Sequence, residues 1–430
     1  MTDVFKVGVA GLGTVGGGVV RLLLANKDLL LKRTGRPIEL AAVSDVRESR
    51  IAELGIPSSV RYYPDAVKMA READVDLIVE LIGGAGGVAL DVCMAALNAG
   101  KGFVTANKAM LAHHGNDIGR IAEEKGLFLG YEAAVAGGIP IIKSLREGLV
   151  GNNVSEIYGI LNGTCNYILT VMRETGKPFD VVLADAQKLG YAEADPSFDV
   201  DGIDTAHKIC ILGALAFGVP IGLDALSIEG IRRISDIDIA YAEEFGFRIK
   251  LLGVGRRTEK GVSLNVYPCL IPQTAEIAHV DGVFNAVITE GDFVGHSMFV
   301  GRGAGEKPTA SAVVADIADA AKHRGLPFLT VAGADVKPLP VVSLSEREGE
   351  YYLRFEVKDQ AGVVADIAKI LGGEGLSIAS MVQRGQTGDT VPLIMTLHHA
   401  KEANVARALE KIEKTESVVR KPCMIRIERL

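Results

Sequence analysis

The sequence predicts an α/β protein in three parts: a doubly wound parallel sheet, an α+β middle domain, and a small C-terminal βαββαβ domain. Three observations carry this. A β-like run, Phe5–Ala10, leads straight into Gly11-Leu12-Gly13-Thr14-Val15-Gly16 and then into an amphipathic stretch with Val19, Val20, Leu22, Leu23 and Leu24. Strand-like and helix-like segments alternate from there to about residue 134, the pattern that builds a parallel sheet. Beyond a linker holding Pro338 and Pro340, the hydrophobic period switches in the order strand, helix, strand, strand, helix, strand. The expected domains are residues 1–134 (completed by about 306–335), 135–305 and 351–430, with 336–350 as linker.

Composition narrows the function classes. A chain of 430 residues with 48% hydrophobic content has apolar surface for two or three full cores. No segment reaches the roughly 18 uncharged apolar residues that span a bilayer, and the N-terminus lacks a secretory pattern. The five cysteines, Cys93, Cys165, Cys210, Cys269 and Cys423, are scattered and form no CxxC pair, as expected of a reducing cytoplasm without disulfides or a zinc site. A net charge of −8 with no basic domain argues against nucleic acid as a partner.

In the first segment, strand followed by GxGxxG followed by helix is the context that gives this motif its meaning. The glycines permit the turn and let backbone approach a pyrophosphate, which faces the free N–H groups of the helix. This is a Rossmann-type arrangement, and it makes Gly11, Leu12, Gly13, Thr14, Val15 and Gly16 candidate cofactor contacts. Residues 29–37 read as an insertion before a strand at 38–43, which ends at Ser44-Asp45. An acid there hydrogen-bonds the adenine ribose of NAD. Arg47, two residues on, would instead meet a 2′-phosphate, so NAD and NADP both stay open, and Asp45 could equally be a turn residue. Residues 75–82 read as a central strand ending at Gly83-Gly84, 90–99 as a helix, and Gly102–Thr105 as a strand with Ala106-Asn107-Lys108 at its C-terminal edge. Ligands of open α/β sheets bind at that edge, which makes Lys108 a functional candidate against the alternative of a solvated loop lysine. A strand at 127–131 runs into the small-residue turn 132–140, whose carbonyls are free for a ligand or cation.

The middle segment is organised around residues 190–208. Glu193, Asp195, Asp199, Asp201 and Asp204 precede one lysine, Lys208, which opens a strongly apolar run at 209–217. Asp204 and Lys208 are four residues apart and share one helix face. A buried lysine is paired or used, and a structural ion pair is the plain alternative. A strand at 157–161 enters Asn162-Gly163-Thr164-Cys165-Asn166-Tyr167, read as a substrate or cofactor loop before a helix at 167–174. A helix at 180–189 precedes the acidic stretch. Strands at 248–255, 262–270, 283–288 and 293–300 form an antiparallel sheet. The turn 301–309, including Gly305, offers a second set of backbone N–H groups before a helix at 310–323, which packs back on the first domain.

Together these features resemble homoserine dehydrogenases over residues 1 to about 335. The resemblance rests on residues 11–16, Ala106-Asn107-Lys108, residues 131–140, residues 161–167, the stretch through Asp204-Thr205-Ala206-His207-Lys208, and Gly301-Arg302-Gly303-Ala304-Gly305. It implies reversible reduction of L-aspartate 4-semialdehyde to L-homoserine with NADPH or NADH, toward threonine, isoleucine and methionine. In that case Lys208 is the proton donor in reduction and the base in reverse, and Lys108 lies between cofactor and substrate. Glu193 and Asp204 hold the amino acid, Asp199 is a further acid of the site, and Gly190 touches substrate through its backbone. Backbone oxygens of Glu132, Val135, Gly137 and Ile139 form a sodium-type site, and Gly305 contacts the cofactor. The chain departs from the pattern at Ser44-Asp45, where members preferring NADP often carry a basic residue.

The C-terminal strands and helices expected at 351–357, 363–371, 377–383, 390–397, 401–414 and 418–428 make a ferredoxin-like βαββαβ unit. Its Asp359-Gln360-Ala361-Gly362 turn resembles the glycine loop of ACT domains. This implies regulation by a small amino acid, L-threonine as end product, with sheets paired edge to edge between subunits of a homodimer or homotetramer. A dimerisation module without an effector is the alternative there. For the whole chain, the alternatives are a non-catalytic amino-acid sensor on a dehydrogenase scaffold and a dehydrogenase of a related amino acid. The presence of both Lys108 and Lys208 argues against the sensor.

Overall fold

The computed structural model describes residues 3–224, 226–322, 325–384 and 389–430. Six parallel strands, β1 (Phe5–Ala10), β2 (Ile38–Ser44), β3 (Arg61–Tyr63), β4 (Leu77–Glu80), β5 (Gly102–Thr105) and β6 (Leu129–Gly130), lie in the order β3-β2-β1-β4-β5-β6. The strand order reverses between β1 and β4, and this switch point is where such sheets bind dinucleotides. All residues of β4 and β5 are buried, because helices cover both faces of a parallel sheet.

The strand expected at 75–82 is shorter, Leu77–Glu80. Beyond it the buried Glu80 carboxylate takes over the backbone donors, accepting from Ile82 N at 2.7 Å and Gly83 N at 2.9 Å. The segment read as an insertion is the helix Lys27–Thr34, closed by Gly35 in the left-handed region. β3, the helix Ala66–Glu72 and the helix Lys108–Glu124 have no counterpart in the sequence reading.

The helix Glu306–Ala321 packs against the helix Thr14–Ala25, and Val313, Val314 and Ile317 join Val19, Val20 and Leu23 in one core. Gly18 permits the approach, since a Cβ there would stand 2.8 Å from Glu306 Cγ. His323, where that helix was expected to end, lies outside the described residues.

The second sheet has ten strands: β7 (Val154–Ile160), β8 (Ser227–Ile228), β9 (Phe247–Thr258), β10 (Gly261–Pro272), β11 (Phe284–Gly291), β12 (Gly295–Arg302), β13 (Glu348–Lys358), β14 (Ile378–Gln383), β15 (Thr390–Lys401) and β16 (Cys423–Ile427). Their order is β12-β11-β7-β9-β10-β16-β13-β15-β14, with β8 also on β10. The antiparallel sheet of the middle segment and the C-terminal βαββαβ sheet are thus one sheet, joined where β10 and β16 pair in parallel at Cys269↔Arg426 and Leu270↔Ile427.

Polar contacts reinforce the seam. Asp238, fully buried in the capping box of the helix Asp236–Glu244, accepts from Tyr352 Oη at 3.0 Å and from Arg354 Nε at 2.7 Å. Helices Val363–Gly373 and Glu402–Glu413 close the C-terminal core over Leu353, Phe355, Leu393 and Met395. On the middle part of the sheet, the helix Ile203–Phe217 lies against β9 and β10. Among the described residues no helix is long and apolar enough to cross a membrane.

Candidate active site

The glycine turn follows the C-terminal end of β1, with its geometry forced by sterics. Gly11 has φ +91°, and a Cβ there would stand 2.6 Å from the Leu81 carbonyl oxygen. At Gly16 a Cβ would stand 1.9 Å from the Gly11 carbonyl oxygen. Gly13 differs: nothing lies within 4 Å of its Cβ direction, so this part of the cradle opens outward. Thr14 and Val15 begin the helix whose free N–H groups face that opening.

Asp45 braces the turn. Its Oδ2 accepts from Leu12 N at 2.7 Å and its Oδ1 from Arg47 N at 2.8 Å. A carboxylate has about four lone-pair sites, so capacity for a ribose hydroxyl remains. Arg50, which sequence reasoning did not single out, donates from Nε to the Leu12 carbonyl at 2.8 Å.

The helix Ile203–Phe217 presents Asp204 and Lys208 one turn apart, both buried. Lys208 Nζ donates to Asp204 Oδ2 at 2.8 Å and to the Leu161 carbonyl at 2.6 Å. The other Asp204 oxygen lies 3.1 Å from Lys108 Nζ, which the helix Lys108–Glu124 brings from the edge of the first sheet. Burial alone would raise the Asp204 carboxyl, but Lys208, Lys108 and hydrogen bonds from Lys208 and Asn162 hold it well below the usual carboxylate range. Asp199 is pushed up, by burial and then by the Asp204 charge.

Asn162 ties these groups together. Its Nδ2 donates to Asp199 Oδ1 and to Asp204 Oδ2, each at 2.8 Å, while its Oδ1 accepts from Cys165 N at 2.8 Å. The segment read as a loop is therefore the N-terminus of the helix Gly163–Thr175, with Asn162 as its N-cap. Asn directly before an apolar-periodic run is an N-cap signal that could have found it.

The other expected acids are placed differently. Glu193 is exposed, and its engaged group is the backbone carbonyl, which accepts from Gln187 Nε2 at 2.9 Å. Gly190 is exposed in the left-handed region at φ +77°. Asp195 accepts from Ser197 N at 3.0 Å, and Asp201 pairs with Arg232.

Two rings to which the sequence reading gave no role line the cluster. Phe198 lies under Lys108 Nζ, 5.7 Å from its ring centroid, and meets the buried His207 edge-on at 5.4 Å.

At the turn 132–140, Glu132 carries more than a backbone oxygen. Its buried carboxylate accepts from Ile142 N at 2.9 Å and Lys143 N at 2.8 Å. Burial and then the neighbouring Asp316 push its carboxyl up to about 8. Val135 and Gly137 are buried residues whose carbonyls accept no hydrogen bond among the described residues, whereas Ile139 O accepts from Ile141 N at 2.8 Å. Carbonyls left without a hydrogen bond are oxygen donors of the kind a hard cation takes. Gly305 caps the helix Glu306–Ala321 at φ +116°.

Backbone N–H groups for a pyrophosphate and two lysines sharing one carboxylate meet the needs of a nicotinamide-dependent oxidoreductase acting on a CH–OH group, and the protein is of that class. Family models agree at three places: the NAD binding domain of homoserine dehydrogenase over residues 11–132, homoserine dehydrogenase over 140–318, and the ACT domain over 351–417. The chain is 45% identical over 433 residues to a homoserine dehydrogenase of Neisseria gonorrhoeae, covering 99% of both. It is similar to the crystal structure of a homoserine dehydrogenase from Thiobacillus denitrificans, with TM-score 0.93, 43% identity and coverage of 100% of this chain and 99% of that one. A hyperthermophilic archaeal homoserine dehydrogenase solved with NADPH matches 76% of this chain and 100% of its own, at TM-score 0.65 and 25% identity. The chain belongs to the homoserine dehydrogenase family.

Proposed function

We propose that the protein interconverts L-homoserine and L-aspartate 4-semialdehyde, with Lys208 as the group that moves the proton. The carrying observation is the Lys208–Asp204–Lys108 cluster. An ammonium has three donors. Two of those on Lys208 go to Leu161 O and Asp204, leaving one for a substrate oxygen.

Bound NAD(P)H supplies the hydride. As charge develops on the aldehyde oxygen, Lys208 donates its proton there, and it takes that proton back during oxidation. Lys108, across the same carboxylate, adds a second positive charge beside the reacting oxygen. Asp204, Asp199, Glu193 and the Gly190 backbone hold the zwitterionic amino acid. The turn 11–16 and Gly305 hold the cofactor. Asp45 takes a ribose hydroxyl, or Arg47 and Arg50 a 2′-phosphate, so both NAD and NADP belong to this reading. Carbonyls of Glu132, Val135, Gly137 and Ile139 would hold a sodium ion, which would fix the turn joining the two sheets.

The C-terminal domain is read as binding L-threonine as a feedback effector, in a cytoplasmic homodimer or homotetramer. The outer edge of β14 supports sheet pairing between subunits. Residues 1–134 with 306–335, 135–305 and 351–430 are the corresponding domains.

A steady-state assay with L-homoserine against NAD and NADP, from neutral to alkaline pH and with or without L-threonine, tests all of this. Absence of homoserine-dependent cofactor reduction at every pH overturns it.

A further inference from the structure

The two lysines that share Asp204 are held unequally. Lys208 is tied by two hydrogen bonds and its side chain is 10% exposed. The Lys108 side chain is 32% exposed, and its single ion-pair partner among the described residues is that same carboxylate. One ion pair fixes a lysine poorly, because ordering its four-carbon stem costs rotamer entropy. An aromatic face supplies the second hold. Lys108 Nζ lies over the Phe198 ring, 5.7 Å from the centroid. A ring face attracts an ammonium through its quadrupole, more strongly where water is scarce. Phe198 belongs to the short helix Ser197–Val200 and is 41% exposed, so a core does not account for it.

Phe198 is held in turn by His207. Their ring centroids are 5.4 Å apart at 75°, and His207 meets His113 at 5.4 Å and 86°. The rings thus bridge the helix Lys108–Glu124 and the helix Ile203–Phe217. A phenylalanine would serve an edge-on contact as well, yet His207 carries a buried Nδ1 without a hydrogen-bond partner. An orphaned polar atom costs stability and calls for a reason. What separates this ring from phenylalanine is that it can take a charge. The charged and titratable groups facing it are His113 and Lys108 from the helix Lys108–Glu124 and Asp204 on its own helix, with Lys208 next in the chain. Asp204 is already shared by both lysines and Asn162. Burial and then His113 hold His207 below the usual imidazole range, and Lys108 acts in the same sense. The coupling is mutual, since a proton on His207 sets a like charge against Lys108.

We propose that Phe198 and neutral His207 form an aromatic seat that positions Lys108 against Asp204 for the reaction, and that a proton on His207 unseats it. Both are positioning residues, since they act through Lys108. The inference rests on the reading of Lys108 as the second positive charge beside the reacting oxygen. In aldehyde reduction both lysines work in their protonated form, so acid costs them nothing, and a loss of rate on the acid side reports another group. Asp204 stays ionised there, being held well below the usual carboxylate range. Asp199, which is pushed up, is the rival to His207, and substitutions separate the two.

The test follows reduction of L-aspartate 4-semialdehyde with NADPH by the full chain from about pH 8 to about pH 5, a range that spans imidazole titration. Phe198→Leu should lower kcat by about threefold to tenfold, the worth of a cation–ring contact, with the cofactor Kd unchanged. Phe198→Tyr keeps the ring face and should stay within about twofold of the unsubstituted kcat. In a Lys108→Met background, Phe198→Leu should change kcat by less than about twofold, because the group it positions is gone. His207→Phe keeps a ring that takes no proton, and it should lose much less rate at the acid end than the unsubstituted protein does. Should the larger ring not fold, His207→Gln should show the same flattened acid limb at a lower kcat. Should Lys108→Met be too slow to measure, the tyrosine rescue and the acid limb decide. Full activity of Phe198→Leu, no rescue by tyrosine, or losses that multiply in the double variant overturn the seat. So does an acid limb that survives in the His207 variants and disappears instead in His113→Gln or Asp199→Asn. Each of these outcomes leaves the proposed reaction standing, whereas absence of turnover by the unsubstituted protein at every pH overturns the reaction itself.

Discussion

Asp204 Oδ2 accepts from Lys208 Nζ at 2.8 Å, one helical turn away, while its Oδ1 faces Lys108 Nζ at 3.1 Å. One carboxylate thus sets the positions of two ammonium groups that arrive from different sheets. Lys208→Ala is expected to lower kcat by about 10²–10⁴-fold, the range for loss of a positioned proton donor, with the cofactor Kd unchanged. Turnover equal to that of the unsubstituted enzyme would remove Lys208 from the chemistry. Asp204→Asn should lower kcat and raise the KM for homoserine together, since it loosens Lys208 and removes a charge that the substrate ammonium would meet.

The same pair makes stability depend on acid. The folded Asp204 carboxyl lies well below its unfolded value of about 3.9. A depressed carboxylate contributes stability that is present above the unfolded pKa and is lost as pH falls through the folded one. Asp199, raised by burial and by Asp204, acts in the opposite sense, since its penalty is relieved in acid. Urea midpoints between pH 7 and pH 3 should therefore fall more steeply for the unsubstituted protein than for Asp204→Asn once the pH drops below about 4. Parallel curves would show that Asp204 titrates as it does in the unfolded chain.

The glycine turn separates fold from binding. Gly16→Ala places a methyl 1.9 Å from a backbone oxygen and should destabilise the turn itself. Gly13→Ala meets nothing within 4 Å and should leave Tm within about a degree, because the change touches no protein atom. The same methyl would stand where a pyrophosphate approaches, so the cofactor KM should rise at least about tenfold. An unchanged KM would place the phosphates elsewhere.

What was legible in the sequence follows from how local each signal is. The strand–turn–helix order around 11–16 and the shared helix face of Asp204 and Lys208 are set by spacings of a few residues, and the structure has both. The Lys108–Asp204 contact spans residues far apart in the chain, and only the resemblance placed both residues in one site. The helix Lys108–Glu124 escaped notice because Gly115 and Gly119 lower its helical signal. Their reason is tertiary: a Cβ on Gly119 would stand 2.4 Å from the Phe328 ring. Nothing local marks β16 as a partner for β10, since a parallel pair far apart in sequence has no turn to announce it.

Arg354 is expected to matter for stability rather than for chemistry. It donates to both oxygens of Asp238, at 2.7 Å and 3.1 Å, and Asp238 is fully buried. Arg354→Leu leaves that carboxylate with Tyr352 and the Ser235 cap but no cation, at a cost of about 3–5 kcal/mol. Asp238→Asn in the same chain should recover part of the loss, because the uncompensated charge is then gone. Equal stability of the single and double variants in urea would show that the charge carries no penalty there.

Removal of residues 346–430 tests the seam between the two halves of the second sheet. The deletion takes away β16, exposes the β10 edge, and leaves Arg256 and Tyr267 without Glu428. Lys108, Asp204, Lys208 and the turn 11–16 all lie outside the deleted segment, and among the described residues none of their hydrogen bonds or ion pairs reaches it. Homoserine-dependent cofactor reduction should therefore persist, while Tm falls by about 5–10 °C, as loss of a few kcal/mol implies for a chain of this size. A bare strand edge also templates association, so the shortened chain should form concentration-dependent aggregates in sedimentation. Response to L-threonine should vanish with the segment. Inhibition that survives in a folded, active truncation would put the effector in the catalytic part, and full stability of the truncation would show that β10 does not depend on β16.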